Sequence, residues 1–324
     1  MSSITGRSEL DLEPSGDEAS TSRLGDRIFS GLATGSGIFV VLLIVAVAAF
    51  LLTQAIPALA DDKANFLTSR VWNVTEGTLS FGIPDLLYVT VISSLLAMII
   101  AVPIAIAVAL FLTQYAPPRL ATPFGYLVDL LAAVPSIIYG LWGLIVFAPY
   151  VDPVQRFLAK VFGWFPVFSP PVSSGTVFLA SVVLSIMILP IVTALSREVF
   201  AQTPLTHKEG ALALGATKWE MIRTAVLPFG TPGVVSAAML GLGRALGETI
   251  AVTIIVSTNP GAFRFSVFSG GETFASKIAN NAGEFDTPLK AGAYIAAGLV
   301  LFVLTFVVNA AARVIIERRK AFTE

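Results

Sequence analysis

The amino-acid sequence predicts an all-α integral membrane protein built on six transmembrane helices. Two observations carry that prediction. Hydrophobic residues fill 55% of the 324 positions and charged residues only 13%, about half the charge of an ordinary soluble domain. The charges are also unevenly spread. Five uncharged runs each exceed the roughly 20 residues that cross a bilayer core, and a sixth apolar stretch is broken only by Arg244 and Glu248.

Residues 1–27 mix Ser, Gly, Pro and charges without apolar periodicity, which predicts a flexible tail. The first span is Ile28–Ala60. Ala58-Leu59-Ala60 resembles a signal cleavage site, but the run is about twice the length of a signal core and reads as an uncleaved anchor. Spans two to four are Leu86–Pro118, Leu130–Val151 and Val161–Ser196, with Pro103, Pro135 and Pro190 inside them. A proline removes a helix hydrogen bond, so each predicts a kink whose freed carbonyl needs a partner. The fifth span lies within Thr224–Phe263, drawn as one helix from Gly233 to Val256, and the sixth is Ala291–Ala312. The chain is thus expected to divide into a tail at 1–27, a first helix with an outer loop at 28–84, a transmembrane core at 85–318 and a short C-terminal tail at 319–324.

Six spans place both termini on one side. With the termini in the cytoplasm, the inner segments hold Arg7, Arg23, Arg27, Arg119, Arg197, Lys208, Lys218, Arg223, Arg313, Arg318, Arg319 and Lys320. The outer loops hold Lys63, Arg70, Arg156, Lys160, Arg264, Lys277 and Lys290. The excess of basic residues favours cytoplasmic termini.

Several function classes fall away. A net charge of −1 offers no basic field for nucleic acid. Without cysteine there is no disulfide or thiol chemistry, and His207 alone supports neither a histidine metal site nor a triad. No Gly-Lys dipeptide occurs, so the chain has no phosphate loop for nucleotide. The expectation is no metal, no cofactor in this chain and no enzyme.

One polar block interrupts the apolar pattern: EGALALGATKWEMIRTAVLP, from Glu209 to Pro228, within a loop at 203–228. Thr206…Glu209 and Thr217…Glu220 each have the spacing of a capping box. Gly215 between them suits a left-handed helix end. The block therefore predicts a short helix, a glycine turn and a second helix. Its small residues Gly210, Ala211 and Ala213 leave room for another protein to approach. A well-capped linker is the plainer alternative.

The second unusual stretch is GLGRALGETIAV, Gly241–Val252. A charge deep in a span costs about 2.5–3.5 kcal/mol on insertion scales. On one continuous helix, Gly233, Ala237, Gly241, Arg244, Glu248 and Ala251 form a stripe of small residues carrying a cation and an anion one turn apart. Such a face packs on another helix or lines a wet cavity. The pair either serves transport or pins two helices together.

The segments AVPIAIAVALFLTQYAP, DLLAAVPSIIYGLWG, LPIVTALSREVF, EGALALGATKWEMIRTAVLP and GLGRALGETIAVTIIV together resemble the phosphate ABC importer permeases, with an ending similar to their PstC-type branch. Glu209, Ala211, Gly215, Leu227 and Pro228 match the EAA loop by which such permeases dock on an ATPase. Gly210 stands where the pattern has alanine, and Ala225 where it has isoleucine. The resemblance, from about Asp85 to Arg318, implies a type I importer (MetI-like) transmembrane fold with a cytoplasmic coupling helix, in a bacterial cytoplasmic (inner) membrane. It implies as partners a PstA-like permease, a PstB-like ATPase dimer and an extracytoplasmic phosphate-binding protein, with phosphate as cargo and membrane lipid as surroundings. It implies that Arg244 and Glu248 belong to the translocation pathway. The competing readings are a permease for another oxyanion such as molybdate or sulfate, and a channel or secondary transporter.

Overall fold

A computed structural model describes residues 18–75, 77–170, 172–258 and 265–320. In chain order the helices are α1 (Glu18–Asp61), α2 (Pro84–Leu110), α3 (Pro118–Ala132), α4 (Ser136–Trp142), α5 (Ala148–Phe162) and α6 (Val177–Ala201). They continue with α7 (Leu205–Ala213), α8 (Lys218–Met221), α9 (Leu227–Leu246), α10 (Ile250–Ile255), α11 (Phe274–Asn280) and α12 (Pro288–Lys320). Wide π-type turns at Phe111–Tyr115, Gly143–Phe147 and Ile222–Val226 connect α2 to α3, α4 to α5 and α8 to α9. A two-stranded hairpin, β1 (Trp72–Asn73) and β2 (Ser80–Phe81), is the described strand structure.

Six helical stretches among the described residues are long and apolar enough to cross a membrane: Gly25–Asp61, Pro84–Tyr115, Ser136–Phe162, Val177–Ala201, Lys218–Leu246 and Pro288–Val314. The number matches the sequence expectation, but three spans differ from those drawn. The third span starts at Ser136, because Pro135 takes the N-cap position of α4 in extended geometry (φ −59°, ψ 138°). Proline suits a helix start, where its missing N–H has no partner to lose. Pro135 is therefore a boundary and not a kink; Pro103 and Pro190 do lie inside α2 and α6. The fourth span starts at Val177, since residues 161 and 162 finish α5 and residues 163–170 and 172–176 form turns and loop. Its start is fixed by Thr176, which accepts from the Leu179 N–H at 3.0 Å and donates to Gln155 at 2.6 Å. The fifth span breaks at residues 247–249.

The core from Leu51 onward is organised on α6, the most enclosed of these spans. Ala97, Ala101, Ala105 and Ala109 of α2, spaced four apart, are fully buried. Methyl-sized side chains on one face let two helices approach closely, which is how helices associate without a hydrophobic drive between them. The opposing α6 buries Ala180, Val183, Leu184, Met187, Ile188 and Val192. On α9, a β-carbon at Gly230, Gly233 or Gly241 would crowd Phe200, Val199 or Val192 of α6. Buried hydroxyls on α6 return to their own helix: Ser181 donates to the Val177 carbonyl at 2.7 Å and Ser185 to that of Val182 at 2.6 Å.

One end of the core carries an aromatic cap. Trp72 and Phe81 of the hairpin pack edge to face at 5.5 Å, and Trp72 lies 5.5 Å from Tyr294 near the start of α12. Up to Phe50, α1 presents exposed apolar side chains throughout its described length.

Candidate functional site

The break in the fifth span sets the geometry around the charged motif. In an unbroken helix the Ala251 N–H would bond the Gly247 carbonyl. Here it donates to Glu248 Oε1 at 3.1 Å, so the carboxylate serves the first turn of α10, where backbone N–H groups lack helical partners. Gly243 and Gly247, before and within the break, lower the local preference for helix. The expectation of one continuous helix is thereby corrected. Arg244 sits in the last turn of α9, Glu248 lies in the break, and the two make no ion pair among the described residues.

The expected stripe also divides. Gly233, Ala237 and Gly241 belong to the seam with α6, while Ala251 is buried where α10 meets α4 at Gly140. Arg244 instead lines an open cleft of about 660 Å³, with Ser236 and Leu240 on the same face of α9, Ile191 of α6, and Asn309 and Arg313 of α12. Its Nε is buried without a hydrogen-bond partner. Tyr139, whose hydroxyl donates to the Leu131 carbonyl at 2.9 Å, is within electrostatic reach of the Arg244 charge. The hydrogen bond ties α4 to the end of α3 beside the break.

A second charged element was not singled out by the sequence. Arg197 of α6 binds Asp129 of α3, with Nη2 at 3.1 and 3.3 Å from the two carboxylate oxygens. The residues are 68 positions apart, so no local spacing announces the pair.

The polar block folds as a helix, a turn and a helix. Gly215 adopts φ +85°. Its N–H bonds the Leu212 carbonyl at 3.0 Å and the Ala216 N–H bonds that of Ala211 at 3.2 Å, the paired bonds of a Schellman ending. The Thr217–Glu220 capping box forms in both directions. The Thr206–Glu209 box does not form: α7 is capped two residues earlier, at Pro204, so Thr206 already lies inside the helix. No residue of α7 is buried, Leu214 is 90% exposed, and Leu205, Leu212 and Trp219 are exposed beside it. Glu209 points its polar group out, Ala211 packs toward Phe200 and Ile222, and Leu227 and Pro228 open α9. The block exposes apolar and charged side chains together on one side and is anchored through Met221, Ile222 and Val226 on the other.

Among the described residues no cluster of three or more His, Asp or Glu side chains could hold a metal ion.

Residues 101–321 match the family model described as binding-protein-dependent transport system inner membrane component. The chain is 55% identical over 298 residues to the phosphate transport system permease protein PstC 2 of Mycobacterium tuberculosis, covering 90% of this chain and 92% of that one. It is 40% identical over 306 residues to the phosphate transport system permease protein PstC of Mesorhizobium japonicum, covering 93% and 92%. Among solved structures it resembles a chain of a bacterial ABC transporter involved in the import of the acidic polysaccharide alginate, with a TM-score of 0.53 at 16% identity, covering 90% of this chain and 99% of that one. The six spans, the helix–turn–helix between the fourth and fifth, and these matches lead to one conclusion: the chain is a multi-pass membrane protein of the binding-protein-dependent transport system inner membrane component family, a transport permease of the PstC type.

Proposed function

We propose that the protein is the permease subunit of an ATP-driven phosphate importer and forms half of an alternating-access pathway. The observation that carries this reading is its 55% identity, across 90% of its length, to a permease named for phosphate transport. The exposed helix–turn–helix supports it, because a chain without a nucleotide-binding loop needs a surface through which a separate ATPase acts. The partners are a PstA-like permease, a PstB-like ATPase dimer and an extracytoplasmic phosphate-binding protein that selects the cargo. Glu209, Ala211, Gly215, Leu227 and Pro228 shape the coupling surface. ATP-driven closure of the ATPases pushes on α7 and α8, and the shift passes through the π-type turn into α9.

Arg244 and Glu248 stand at the pathway. The guanidinium supplies a planar, permanently charged donor fork for an oxyanion. The carboxylate holds the break that places Arg244 at the end of a helix. The termini and the loop at 203–228 lie in the cytoplasm. The domain division is a tail at 1–27, an anchor with an outer loop at 28–84, the core at 85–318 and a tail at 319–324.

Vesicles holding the complete four-protein assembly test the function. Labelled phosphate should accumulate when ATP and the binding protein are supplied, and molybdate and sulfate should not. Preferred uptake of either of those anions would reassign the cargo, and uptake without the ATPase would replace the importer with a channel or secondary transporter. The absence of native cysteine allows the topology to be read separately. Thr217→Cys should react with a membrane-impermeant thiol reagent only from the cytoplasmic side.

A further inference from the structure

We infer that the cleft at the far end of α10 is a receiving site for a protonated oxyanion, with Lys277 as its cation and Glu272 and Asn281 as acceptors for the oxygen that carries the proton. The inference rests on the phosphate-importer reading and adds a point of cargo selection inside the permease itself.

α10 is six residues long. Glu248 supports its first turn, and its other end opens on a cleft of about 650 Å³ whose lining includes Thr253, Ser257, Glu272, Lys277, Asn280 and Asn281. The Ser257 N–H donates to the Gly175 carbonyl at 2.9 Å, just before α6 begins. The cleft therefore lies at the opposite end of that span from the helix–turn–helix. An anion entering there stands about 9 Å of helix from Glu248.

The lining keeps both donors and acceptors unused. Lys277 Nζ has three donors, and one reaches Glu272 Oε2 at 2.9 Å. Asn280 Nδ2 donates to Glu272 Oε1 at 3.2 Å, which leaves acceptor capacity on both carboxylate oxygens. Asn281 Nδ2 donates to Glu284 at 2.7 Å. An ionised Glu284 only accepts, so the Asn281 amide is held in one orientation, and its Oδ1 is buried with no donor. Thr113, Thr224 and Thr231 each donate to the carbonyl four residues back, as helical threonines can, whereas the Thr253 hydroxyl is buried with no partner.

Lys277 and Glu272 are largely withdrawn from solvent, with side chains 15% and 17% accessible, and they neutralise each other. An anion that only accepts gains at Lys277 and Thr253 but is repelled by Glu272 and Asn281. An oxyanion that also carries a hydrogen suits both sets. Its bare oxygens accept from the ammonium and the hydroxyl, and its O–H donates to the carboxylate or the amide oxygen. Phosphate keeps a proton at neutral pH; sulfate and molybdate do not. A lipid phosphodiester also lacks one, so a lipid offers the same chemistry only where its headgroup is an ammonium.

Thr258 is exposed at the rim of the cleft. Thr258→Cys in the full complex, held in phosphatidylcholine nanodiscs, gives this chain a single thiol and a readout that needs neither ATP nor transport. Inorganic phosphate should slow its reaction with an uncharged maleimide. Equal slowing by sulfate should need about tenfold more anion, as one buried acceptor left unmet predicts. Lys277→Gln should abolish the slowing, and Lys277→Arg should retain it. Glu272→Gln turns an acceptor into a group that also donates, so sulfate should gain on phosphate by about threefold or more.

No slowing by phosphate, equal slowing by the two anions, or slowing that survives Lys277→Gln would overturn the inference. So would slowing in phosphatidylethanolamine nanodiscs with none by phosphate, which would give the cleft to a lipid headgroup. Uptake judges the importer reading separately. Phosphate uptake without protection of the Thr258→Cys thiol would remove the cleft and leave the importer, and protection without uptake would do the reverse.

Discussion

Arg197 holds both carboxylate oxygens of Asp129, and its guanidinium does so by lying across the bare backbone of Gly125. A β-carbon at Gly125 would occupy the space of that guanidinium. The pair is partly exposed, with side chains 27% and 46% accessible. By itself such a pair contributes roughly 0–1 kcal/mol. Its role is to fix where α3 lies on α6.

Gly125→Leu should therefore expel Arg197 and loosen α3, lowering the thermal midpoint of the detergent-solubilised protein. Gly210→Ala is the control. Space around Gly210 is open, and alanine in a helix interior gains about 1 kcal/mol over glycine. That variant should be as stable as wild type or more so. Equal midpoints for the two variants would mean the Arg197–Asp129 geometry has no structural consequence.

Gly215 has φ +85°, which a β-branched residue reaches only with strain of about 1–3 kcal/mol. Gly215→Val should leave the permease in the membrane and weaken ATPase association or substrate-driven ATP hydrolysis. Leu214→Asp should do the same without strain, because that side chain is 90% exposed among the described residues. Normal coupling in both variants would reduce the helix–turn–helix to a linker.

Arg244→Ala removes an expensive charge, so the fifth span should insert at least as readily as wild type. Phosphate uptake by the assembled complex should fall to background. Arg244→Lys keeps the charge without the planar fork, and partial uptake there would favour field over geometry. Wild-type uptake by Arg244→Ala, at matched assembly and ATPase content, would end the assignment.

Glu248 separates charge from backbone support. Glu248→Gln keeps an oxygen acceptor for the Ala251 N–H, whereas Glu248→Ala leaves that N–H without its partner. The alanine variant should lose about 1–2 kcal/mol of stability, as for other lost helix caps. The glutamine variant should keep wild-type stability. If both variants unfold alike, the cap is not what holds the break open.

The aromatic cap should loosen in acid. Tyr294 and Asn281 each donate to Glu284 at 2.7 Å, and these bonds hold its carboxyl below the usual carboxylate range. A carboxyl lowered in the folded state contributes stability that is complete above its ordinary value. That contribution is lost as the pH falls through the lowered one. Trp72 fluorescence, next to Tyr294, should change below about pH 4. Glu284→Gln should flatten that part of the profile.

The sequence made the spans legible because membrane insertion acts on each segment alone. A bilayer selects length and hydrophobicity, and both can be read from an uninterrupted run such as Ala291–Ala312. The turn at Gly215 and the box at Thr217–Glu220 were legible for the same reason: their hydrogen bonds close within a few residues. Helix boundaries were less so. Pro135 ends one element and opens another, where the sequence suggested a kink. At the fifth span, hydrophobic pattern alone favoured one helix through Arg244 and Glu248.

The sequence by itself determined the class of the molecule, its polar helix–turn–helix block and the two charged residues that a lipid environment makes conspicuous. Tertiary structure decided what those charges face. Glu248 turned to a backbone N–H because the helix stops before it, Arg244 came to share a cleft with Arg313 from 69 positions away, and Arg197 met Asp129 over a glycine. Spacing along a chain reports neighbours within one helix. It carries no record of which helices pack together, because that is settled by the small residues at Ala97, Ala101, Gly233 and Gly241, where backbones approach closely enough to bring distant side chains into contact.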